Sequence, residues 1–338
     1  MRAAVYTQTG PSSVLRLVDR ELPSPGAGEV RVRLLRAGVN PTDWKMRAGG
    51  TYSALPYDEI TPGQDGAGIV DAVGEGIEDL REGDRVWLHL AQHGQACGTA
   101  AEYVVVPARK AAPLPEAASF DLGASLGVPA ITAHRALTSG ERNDRIAPGS
   151  MAGQSVLVQG GAGAVGNAAI QLARWAGATV IATVSSAEKA DLATAAGAHH
   201  TVDYHAEDVT AAVQRIAPEG VDLVVEVAPA QNNDVDREVV RNRGTIAIYA
   251  NNGGDAFELP IRPTFSKNLR YQFILLYTLG EDLLAHATED ITAAVAAGAL
   301  DVGRNRGVPL QHFTLEDTAA AHDAVEAGAV GKVLIDLD

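Results

Sequence analysis

The apolar positions in the first part of this chain alternate or run together in short stretches between glycine and proline residues. This pattern predicts strands joined by loops, over residues 2–6, 29–37, 67–73, 84–88 and 101–106. Between residues 119 and 138 the apolar positions are instead spaced as on one face of a helix. A mostly β region that leads into a helix is therefore expected at the start of the chain.

From Ser155 onward strands and helices alternate. The predicted strands are 155–159, 179–184, 201–203, 221–227, 245–249 and 269–277, with helices over 187–196, 206–216 and 234–242. An alanine-rich helix over 281–298 and a closing strand over 332–337 follow. Alternation of this kind predicts a parallel sheet with helices on both faces, so the fold class is α/β.

A glycine turn lies between the strand at Ser155–Gln159 and the helix that follows it. It has a G-x-G-x-x-G spacing, in which Gly161 can take the tight turn, Gly163 leaves room for a pyrophosphate and Gly166 allows close helix packing. The alternative is a glycine-rich turn without a ligand, but strand, turn and helix occur in the order that phosphate binding requires. We predict dinucleotide binding by Gly161, Ala162, Gly163, Ala164, Val165 and Gly166.

Charge and composition exclude several other functions. The chain has 338 residues, 27 basic against 42 acidic, and a net charge of −15, without a basic cluster for nucleic acid. No apolar run is long enough for a transmembrane helix, and the N-terminus does not resemble a signal peptide. Cys97 is the single cysteine, which excludes an intrachain disulfide. We therefore expect a cytoplasmic protein that acts on a small molecule, without nucleic-acid or membrane partners.

The residues after the second strand of the alternating region bear on the choice of cofactor. This strand ends in Ser185-Ser186, where an acidic residue would accept hydrogen bonds from a ribose 2′-hydroxyl and repel a 2′-phosphate. Lys189 follows four residues later, and serine hydroxyls with a lysine can hold a 2′-phosphate. Glu188 is an argument against this, and Lys189 as a solvated helix residue is the alternative. The sequence favours NADPH.

Several motifs resemble those of the medium-chain dehydrogenases/reductases, and of the zeta-crystallin-type quinone oxidoreductases among them. These motifs are AGVNPTDWKMRAGGTYS (37–53), TPGQDGAGIVDAVG (61–74), GDRVW (83–87), LGVPAITAHRAL (126–137), the glycine turn and GKVLIDL (331–337). The resemblance implies a Rossmann NADP-binding domain at 125–265. It also implies a mostly β, GroES-like catalytic domain formed by 1–124 and 266–338.

The resemblance also implies cofactor contacts beyond the glycine turn. Thr132 matches a threonine that contacts the nicotinamide carboxamide, Tyr204 an aromatic position that acts with the lysine, and Lys332 a basic position that reaches the pyrophosphate. Dinucleotides lie at the carboxyl ends of the strands. Residues at or beside such ends match backbone that holds the nicotinamide and its ribose: Asn232, Tyr249, Ala250, Asn251, Ile274 and Leu276. Asn40 and Tyr52 are further cofactor contacts.

No metal is expected. The positions at which zinc-dependent relatives carry ligands are Asn40, Gln64-Asp65 and the neighbourhood of Val128, and an amide is a poor substitute for a thiolate. His89, His93 and Cys97 are spaced four apart and would share one face of a helix. Gly94 and Gly98 interrupt that helix, so a loop is expected there instead.

Without a metal, hydride transfer needs an acceptor that is already electrophilic, such as a quinone. The protein then has to donate hydrogen bonds to the oxygen on which charge develops. Candidate donors are Asn40, Tyr52, Gln64 and Lys45, and the proton comes from Tyr52 or from water. An enone, 2-alkenal or enoyl-thioester reductase is one alternative, and an NADPH-binding protein without turnover is another. The apolar edge at Tyr271–Tyr277 predicts a homodimer.

Overall fold

The computed structural model describes residues 1–50, 55–142 and 144–337, and the chain forms two compact units. The first unit comprises Met1–Val128 and Pro309–Asp338, and the second comprises Pro129–Val308. The second unit is therefore inserted into the sequence of the first.

The strands and α-helices of the described residues are numbered in chain order. They are β1 (Arg2–Val5), β2 (Arg16–Asp19), β3 (Glu29–Val39), α1 (Pro41–Ala48), β4 (Asp65–Val73), β5 (Arg85–Leu88), β6 (Tyr103–Pro107), β7 (Ala111–Pro113), α2 (Phe120–Leu137), β8 (Ser155–Val158), α3 (Ala164–Trp175), β9 (Thr179–Val184), α4 (Ala187–Ala195), β10 (His200–Asp203), α5 (Val209–Ile216), β11 (Val221–Glu226), α6 (Pro229–Val239), β12 (Val240–Ile248), α7 (Ile261–Ser266), β13 (Arg270–Phe273), α8 (Glu281–Ala296), β14 (Leu310–Thr314), α9 (Thr318–Glu326) and β15 (Lys332–Asp336).

The first unit is built around a mainly antiparallel sheet in the order β14-β15-β3-β4-β5-β7, with β6 also paired to β3. Val30, Val32 and Leu34 alternate along β3 and are buried in the core of this unit. The chain leaves β3 at Asn40 and enters α1 at Pro41, since proline suits the first position of a helix. This junction places Asn40 beside the start of β4, because Gly38 of β3 pairs with Asp65.

The second unit contains a parallel sheet in the order β10-β9-β8-β11-β12-β13. Leu157 of β8 and Val224 of β11 are fully buried, which is typical of parallel strands covered on both faces. In this Rossmann order the succession of strands reverses between β8 and β11, and dinucleotides bind outside the carboxyl ends of parallel strands at such a point. The predicted α/β class and inserted parallel sheet are confirmed.

Several elements of the second unit begin or end away from their predicted bounds, among them β12, which begins at Val240 rather than at 245. The helix predicted over 234–242 is α6, which begins five residues earlier because Pro229 fits the first turn of a helix. The strand predicted over 269–277 ends at Phe273, and the chain then makes a 3₁₀ turn at Leu276–Thr278. The edge strand is therefore shorter than the apolar stretch suggested.

The boundary at which the chain returns to the first unit also differs from the prediction. It lies at Val308/Pro309 rather than at 266, because β13 pairs with β12 and so belongs to the sheet of the second unit. The first boundary, at Val128/Pro129, lies close to the predicted one. None of the helices in the described ranges has both the length and the apolar character needed to cross a bilayer.

Candidate cofactor and active site

The glycine turn joins β8 to α3 and is held to the neighbouring strand by hydrogen bonds. Gly160 has a φ of +71°, a conformation that favours glycine. The Gly161 N–H donates to the Thr183 carbonyl oxygen at 3.0 Å, and the Gly163 N–H donates to that of Gly160 at 3.1 Å. Gly161 therefore lies within the turn that the Gly163–Gly160 hydrogen bond closes, and the left-handed conformation belongs to Gly160, the residue before it.

The absence of a side chain has a different reason at Gly163 than at the other two glycines of the motif. A Cβ on Gly161 would lie 2.7 Å from Ala182 Cβ, and one on Gly166 would lie 2.4 Å from the Gly160 carbonyl oxygen. Both glycines are thus required by internal packing. A Cβ on Gly163 would meet nothing nearer than that same oxygen at 3.5 Å. Gly163 is exposed, so its missing side chain leaves space on the outer face of the turn.

The first turn of α3 presents backbone N–H groups beside this space. Gly163 is the N-cap and has no side chain with which to cap the helix. Ala164 and Val165 are half-buried and Ala162 is buried. An uncapped helix N-terminus carries partial positive charge and favours a phosphate group. The residues present therefore fit the pyrophosphate of a dinucleotide.

Ser185 and Lys189 lie together after β9. The Lys189 ammonium donates to Ser185 Oγ at 2.9 Å, and the Ser186 side chain caps α4. Glu188, the residue that argued against a phosphate here, is paired with Arg304 at 3.1 Å. Tyr204 is 49% exposed, and its N–H donates to the Val184 carbonyl oxygen at 3.1 Å. The structure thus brings together the residues predicted to surround a 2′-phosphate.

The remaining predicted cofactor residues of the second unit lie near the carboxyl ends of its strands. A cavity of about 560 Å³ is lined by Tyr249, Ala250, Asn251 and Ile274 together with Phe273. Leu276 is buried outside this lining, and Thr132 is buried in α2. The Asn232 amide is engaged inside the unit, where it donates to Glu226 Oε1 at 3.1 Å.

In the first unit, the positions that match zinc ligands surround a buried lysine. The Lys332 ammonium donates to Asn40 Oδ1 at 2.7 Å and to Asp65 Oδ2 at 3.2 Å. Asn40 Nδ2 also donates to Asp65 Oδ2, at 2.7 Å. Lys332 is only 2% exposed. The structure therefore places its ammonium on Asn40 and Asp65, and the pyrophosphate contact stays a prediction.

A backbone N–H group of helix α2 also contacts the cluster formed by Asn40, Asp65 and Lys332. The Val128 N–H donates to Asp65 Oδ1 at 2.8 Å, and a Cβ on Gly127 would lie 2.1 Å from that oxygen. Gly127 thus allows the carboxylate to reach the helix backbone. Burial raises the pKa of Asp65, although Lys332 and Asn40 act in the opposite direction.

Asp43 is a second buried carboxyl group beside this cluster. It lies in α1 and accepts a hydrogen bond from the Asn40 N–H at 2.7 Å. Burial raises the pKa of Asp43 to about 7, although hydrogen bonds from Asn40 and Gln64 favour its charged form. The spacing between Asn40 and Asp43 is that of a helix cap, so sequence alone gave no sign of this perturbed group.

The other predicted hydrogen-bond donors differ in their surroundings. Gln64 is 1% exposed, and its Nε2 donates to Gln92 Oε1 at 3.0 Å. Its Oε1 is buried and has no hydrogen-bond partner among the described residues. Lys45 is half-buried on α1, with its ammonium 5.9 Å from the Trp44 ring. Tyr52 lies outside the described residues.

His89, His93 and Cys97 lie in a loop, as expected, and do not share a helix face. His89 is buried, and its ring bonds to the Arg109 carbonyl oxygen at 3.2 Å. Burial lowers the pKa of His89 to about 4. In the described ranges no three His, Cys, Asp or Glu side chains come together as a metal site.

Comparisons with known proteins agree with this architecture. The family model for the alcohol dehydrogenase GroES-like domain matches residues 26–116, and that for zinc-binding dehydrogenases matches 164–296. The quinone oxidoreductase of Lama guanicoe is 32% identical over 99% of this chain and 97% of its own length. The first family match lies within the first unit and the second within the second unit.

Solved structures show the same fold. The quinone oxidoreductase of Escherichia coli, complexed with NADPH, is 26% identical, with a TM-score of 0.81 over 99% of this chain and 100% of that one. An NAD-dependent alcohol dehydrogenase is 31% identical, with a TM-score of 0.85 over 100% of both chains. The chain belongs to the medium-chain dehydrogenase/reductase superfamily and, within it, to the zeta-crystallin-like quinone oxidoreductases.

Proposed function

We propose that this protein is a zinc-independent, NADPH-dependent reductase that transfers hydride to a quinone. The observation that carries the proposal is the unobstructed glycine turn at Gly163, together with Ser185 after the neighbouring strand β9 and its partner Lys189 in α4. A 2′-phosphate would find an ammonium and a hydroxyl there, and the neighbouring Glu188 is paired with Arg304. Several relatives over the whole chain are named quinone oxidoreductases. A cytoplasmic location remains part of the proposal.

Zinc independence is supported by the donor set in the first unit. Asn40 Oδ1 and Asp65 Oδ2 already accept from the Lys332 ammonium, at 2.7 and 3.2 Å. A divalent cation at those oxygens would be repelled by this buried positive charge. The residues at the zinc-ligand positions therefore do not fit zinc, although the matching family model is named for it.

The chain's own residues would bind the cofactor and stabilise the reduced acceptor. When bound, NADPH supplies a hydride to an electrophilic carbon. Asn40 keeps one amide hydrogen beyond the one it gives to Asp65, so it retains a donor for the oxygen that becomes charged. Lys45 and Tyr52 are the other proposed donors, and Tyr52 or water delivers the proton. The Oε1 atom of Gln64 has no hydrogen-bond partner among the described residues and can only accept, so Gln64 suits the role of an acceptor better than that of a donor.

The test measures NADPH consumption with a panel of naphthoquinones, benzoquinones, 2-alkenals and enoyl-CoA, and NADPH formation from NADP⁺ with simple alcohols. We expect turnover with quinones that a chelator such as EDTA leaves unchanged. Faster reduction of alkenals or enoyl-CoA would identify an enone or enoyl-thioester reductase. Alcohol oxidation that is lost with EDTA and restored by zinc would contradict the proposal. Tight NADPH binding without turnover of any acceptor would indicate a binding protein.

Replacing Lys189 with methionine should weaken NADPH binding selectively. The loss of one charge-assisted hydrogen bond is expected to raise the Kd for NADPH by about ten- to a hundredfold, since such bonds contribute roughly 1.5–3 kcal/mol. The Kd for NADH, which lacks the 2′-phosphate, should not change and serves as the internal control. Fluorescence titration measures both. A wild-type protein that prefers NADH by about a hundredfold would contradict the assignment.

We also propose a homodimer joined through β13, which lies at an edge of the six-stranded sheet. Phe273 and Leu275 are 62% and 56% exposed beside that edge. Light scattering should give twice the chain mass of 35.1 kDa. Phe273→Lys should shift the protein to the monomer, because a charge in the apolar edge opposes pairing. A wild-type monomer would rule out this assembly.

A further inference from the structure

A chain of buried polar side chains links the glycine turn to a pair of carboxyl groups within the second unit. Gln159 follows β8, Thr183 lies on β9, Glu226 ends β11 and Asp236 lies on α6. Gln159 is 4% exposed, Thr183 1%, and both carboxyl residues 0%. None of the four was selected by the glycine motif, because they belong to different elements.

The hydrogen bonds between these side chains all run in one direction, from the glycine turn toward Asp236. The Gly160 N–H donates to Thr183 Oγ1 at 3.1 Å, and the Thr183 hydroxyl donates to Gln159 Oε1 at 2.6 Å. Gln159 Nε2 then donates to Asp236 Oδ1 at 2.8 Å. Because the Gly160 N–H uses Thr183 as an acceptor, the hydroxyl hydrogen is free for Gln159, and this fixes the orientation of the amide.

The carboxylate of Glu226 accepts hydrogen bonds from two donors, whereas one carboxyl oxygen of Asp236 accepts none among the described residues. The Ala228 N–H donates to Glu226 Oε1, and Asn232 Nδ2 donates to it at 3.1 Å. Asp236 Oδ2 is buried and accepts from no donor in the part of the chain that the structure describes. Asn232 and Asp236 lie four residues apart on α6 and therefore share a helix face, which places Asp236 beside Glu226. Two ionised carboxyl groups so placed repel each other, but one shared proton converts the repulsion into a hydrogen bond.

We propose that Asp236 is a positioning residue that holds a proton at neutral pH and donates it from Oδ2 to Glu226, so that the chain through Gln159 and Thr183 fixes the glycine turn for the dinucleotide phosphates. The phosphate part rests on the proposed NADPH-dependent function. The proton part does not depend on cofactor binding.

The electrostatic surroundings agree with a neutral Asp236. Burial, and then the charge of Glu226, raise the pKa of Asp236 well above its usual range. Tyr249, after β12, has its pKa raised by burial and by Glu226. Burial raises the pKa of Tyr271 on β13 to about 12. Both tyrosines are thus neutral near pH 7. No basic side chain in the described ranges bonds to either carboxyl group.

Asp236→Asn tests the proton. Asparagine keeps an acceptor toward Gln159 and a fixed donor toward Glu226, so the Kd for NADPH should stay within about twofold of wild type. An acid with a raised native pKa stabilises the fold fully below its unfolded pKa and loses this contribution as pH rises. Urea unfolding should therefore show that the variant becomes more stable relative to wild type as pH rises above about 4. Its unfolding equilibrium constant, divided by that of wild type, should fall by up to about tenfold per pH unit.

Asp236→Leu and Thr183→Val test the positioning. Each interrupts the chain, and each should raise the Kd for NADPH by about tenfold, the effect of losing one buried hydrogen bond of roughly 1.4 kcal/mol. The KM for the quinone should not change. Thr183→Val keeps the side-chain shape and remains informative if the leucine variant does not fold. Asp234→Asn, on the same helix but with its side chain 86% exposed, is the matched control.

The outcomes separate the parts of the inference. If Asp236→Asn is as damaging as Asp236→Leu, or if its gain in stability does not depend on pH, Asp236 is ionised and the shared proton is excluded. If the Kd for NADPH does not respond to Thr183→Val or Asp236→Leu, the positioning role is excluded. If wild-type protein does not bind NADPH while the urea pattern holds, the proton is correct and the cofactor assignment fails.

Discussion

Replacing Gly163 with valine is expected to abolish tight NADPH binding without unfolding the protein. The φ of Gly163 is −77° and its ψ is 162°, an extended conformation that valine adopts readily. A Cβ there meets only the Gly160 carbonyl oxygen at 3.5 Å, so the side chain would enter the space expected for the pyrophosphate. The Kd should rise by at least about a hundredfold, a loss of roughly 2.7 kcal/mol. Titration calorimetry measures this.

Two further glycine-to-valine variants serve as controls for this result. Gly140→Val places the same side chain where the nearest atom is Thr245 Oγ1 at 4.0 Å, and it should leave NADPH affinity unchanged. Gly166→Val drives a Cβ to 2.4 Å from backbone, so it should lower the melting temperature, whereas Gly163→Val should not. Unchanged NADPH affinity in Gly163→Val would remove the glycine turn from the cofactor site.

The contrast among these glycines shows how far local sequence predicts such a site. The G-x-G-x-x-G spacing correctly indicated a strand, a turn and a helix in that order, because its requirements lie within one such unit. Phosphate binding there stays a prediction. The spacing did not show that the left-handed residue is Gly160, nor that Gly161 packs on Ala182 of the next strand. Those facts depend on how β8 and β9 pair, which the motif does not contain.

The fold, like the glycine turn, could be predicted from the sequence only in part. The parallel sheet was predictable because the apolar strands alternate with helices at short range. The late return of the chain to the first unit was not, because it depends on β13 pairing with β12. Strand β14 and helix α9 were not predicted, and their places are set by pairing with β15 and by packing in the first unit. Tertiary contacts overrode local pattern in each case.

The role of Lys332 shows the limit of the site prediction most clearly. Its partners Asn40 and Asp65 are 292 and 267 residues away in the sequence. The GKVL motif indicated a basic residue near the cofactor, but no local pattern reveals a partner so distant. The strand pairing β15–β3–β4 brings the three side chains together. The same geometry gives the second of the two largest expected effects.

Lys332→Met should destabilise the protein by about 3–5 kcal/mol, because it leaves the Asp65 carboxylate buried without its partner charge. Asp65 is 0% exposed, and burial already raises its pKa. Without the ammonium that pKa rises further, and an acid with a raised native pKa loses stability as pH increases from its unfolded value. The loss, measured by urea unfolding against wild type, should therefore be smaller at pH 5 than at pH 8.

A double-mutant cycle with Asp65→Asn separates the ion pair from simple packing. Asp65→Asn alone places an amide where both Lys332 and the Val128 N–H need acceptors, so it should also destabilise the protein. The double variant contains neither charge, and it should recover stability relative to the sum of the single losses and lose the pH dependence seen for Lys332→Met. Strictly additive losses would show that Lys332 and Asp65 do not act as a pair. A Lys332→Met variant as stable as wild type at pH 8 would show that the buried ammonium does not hold this part of the first unit together.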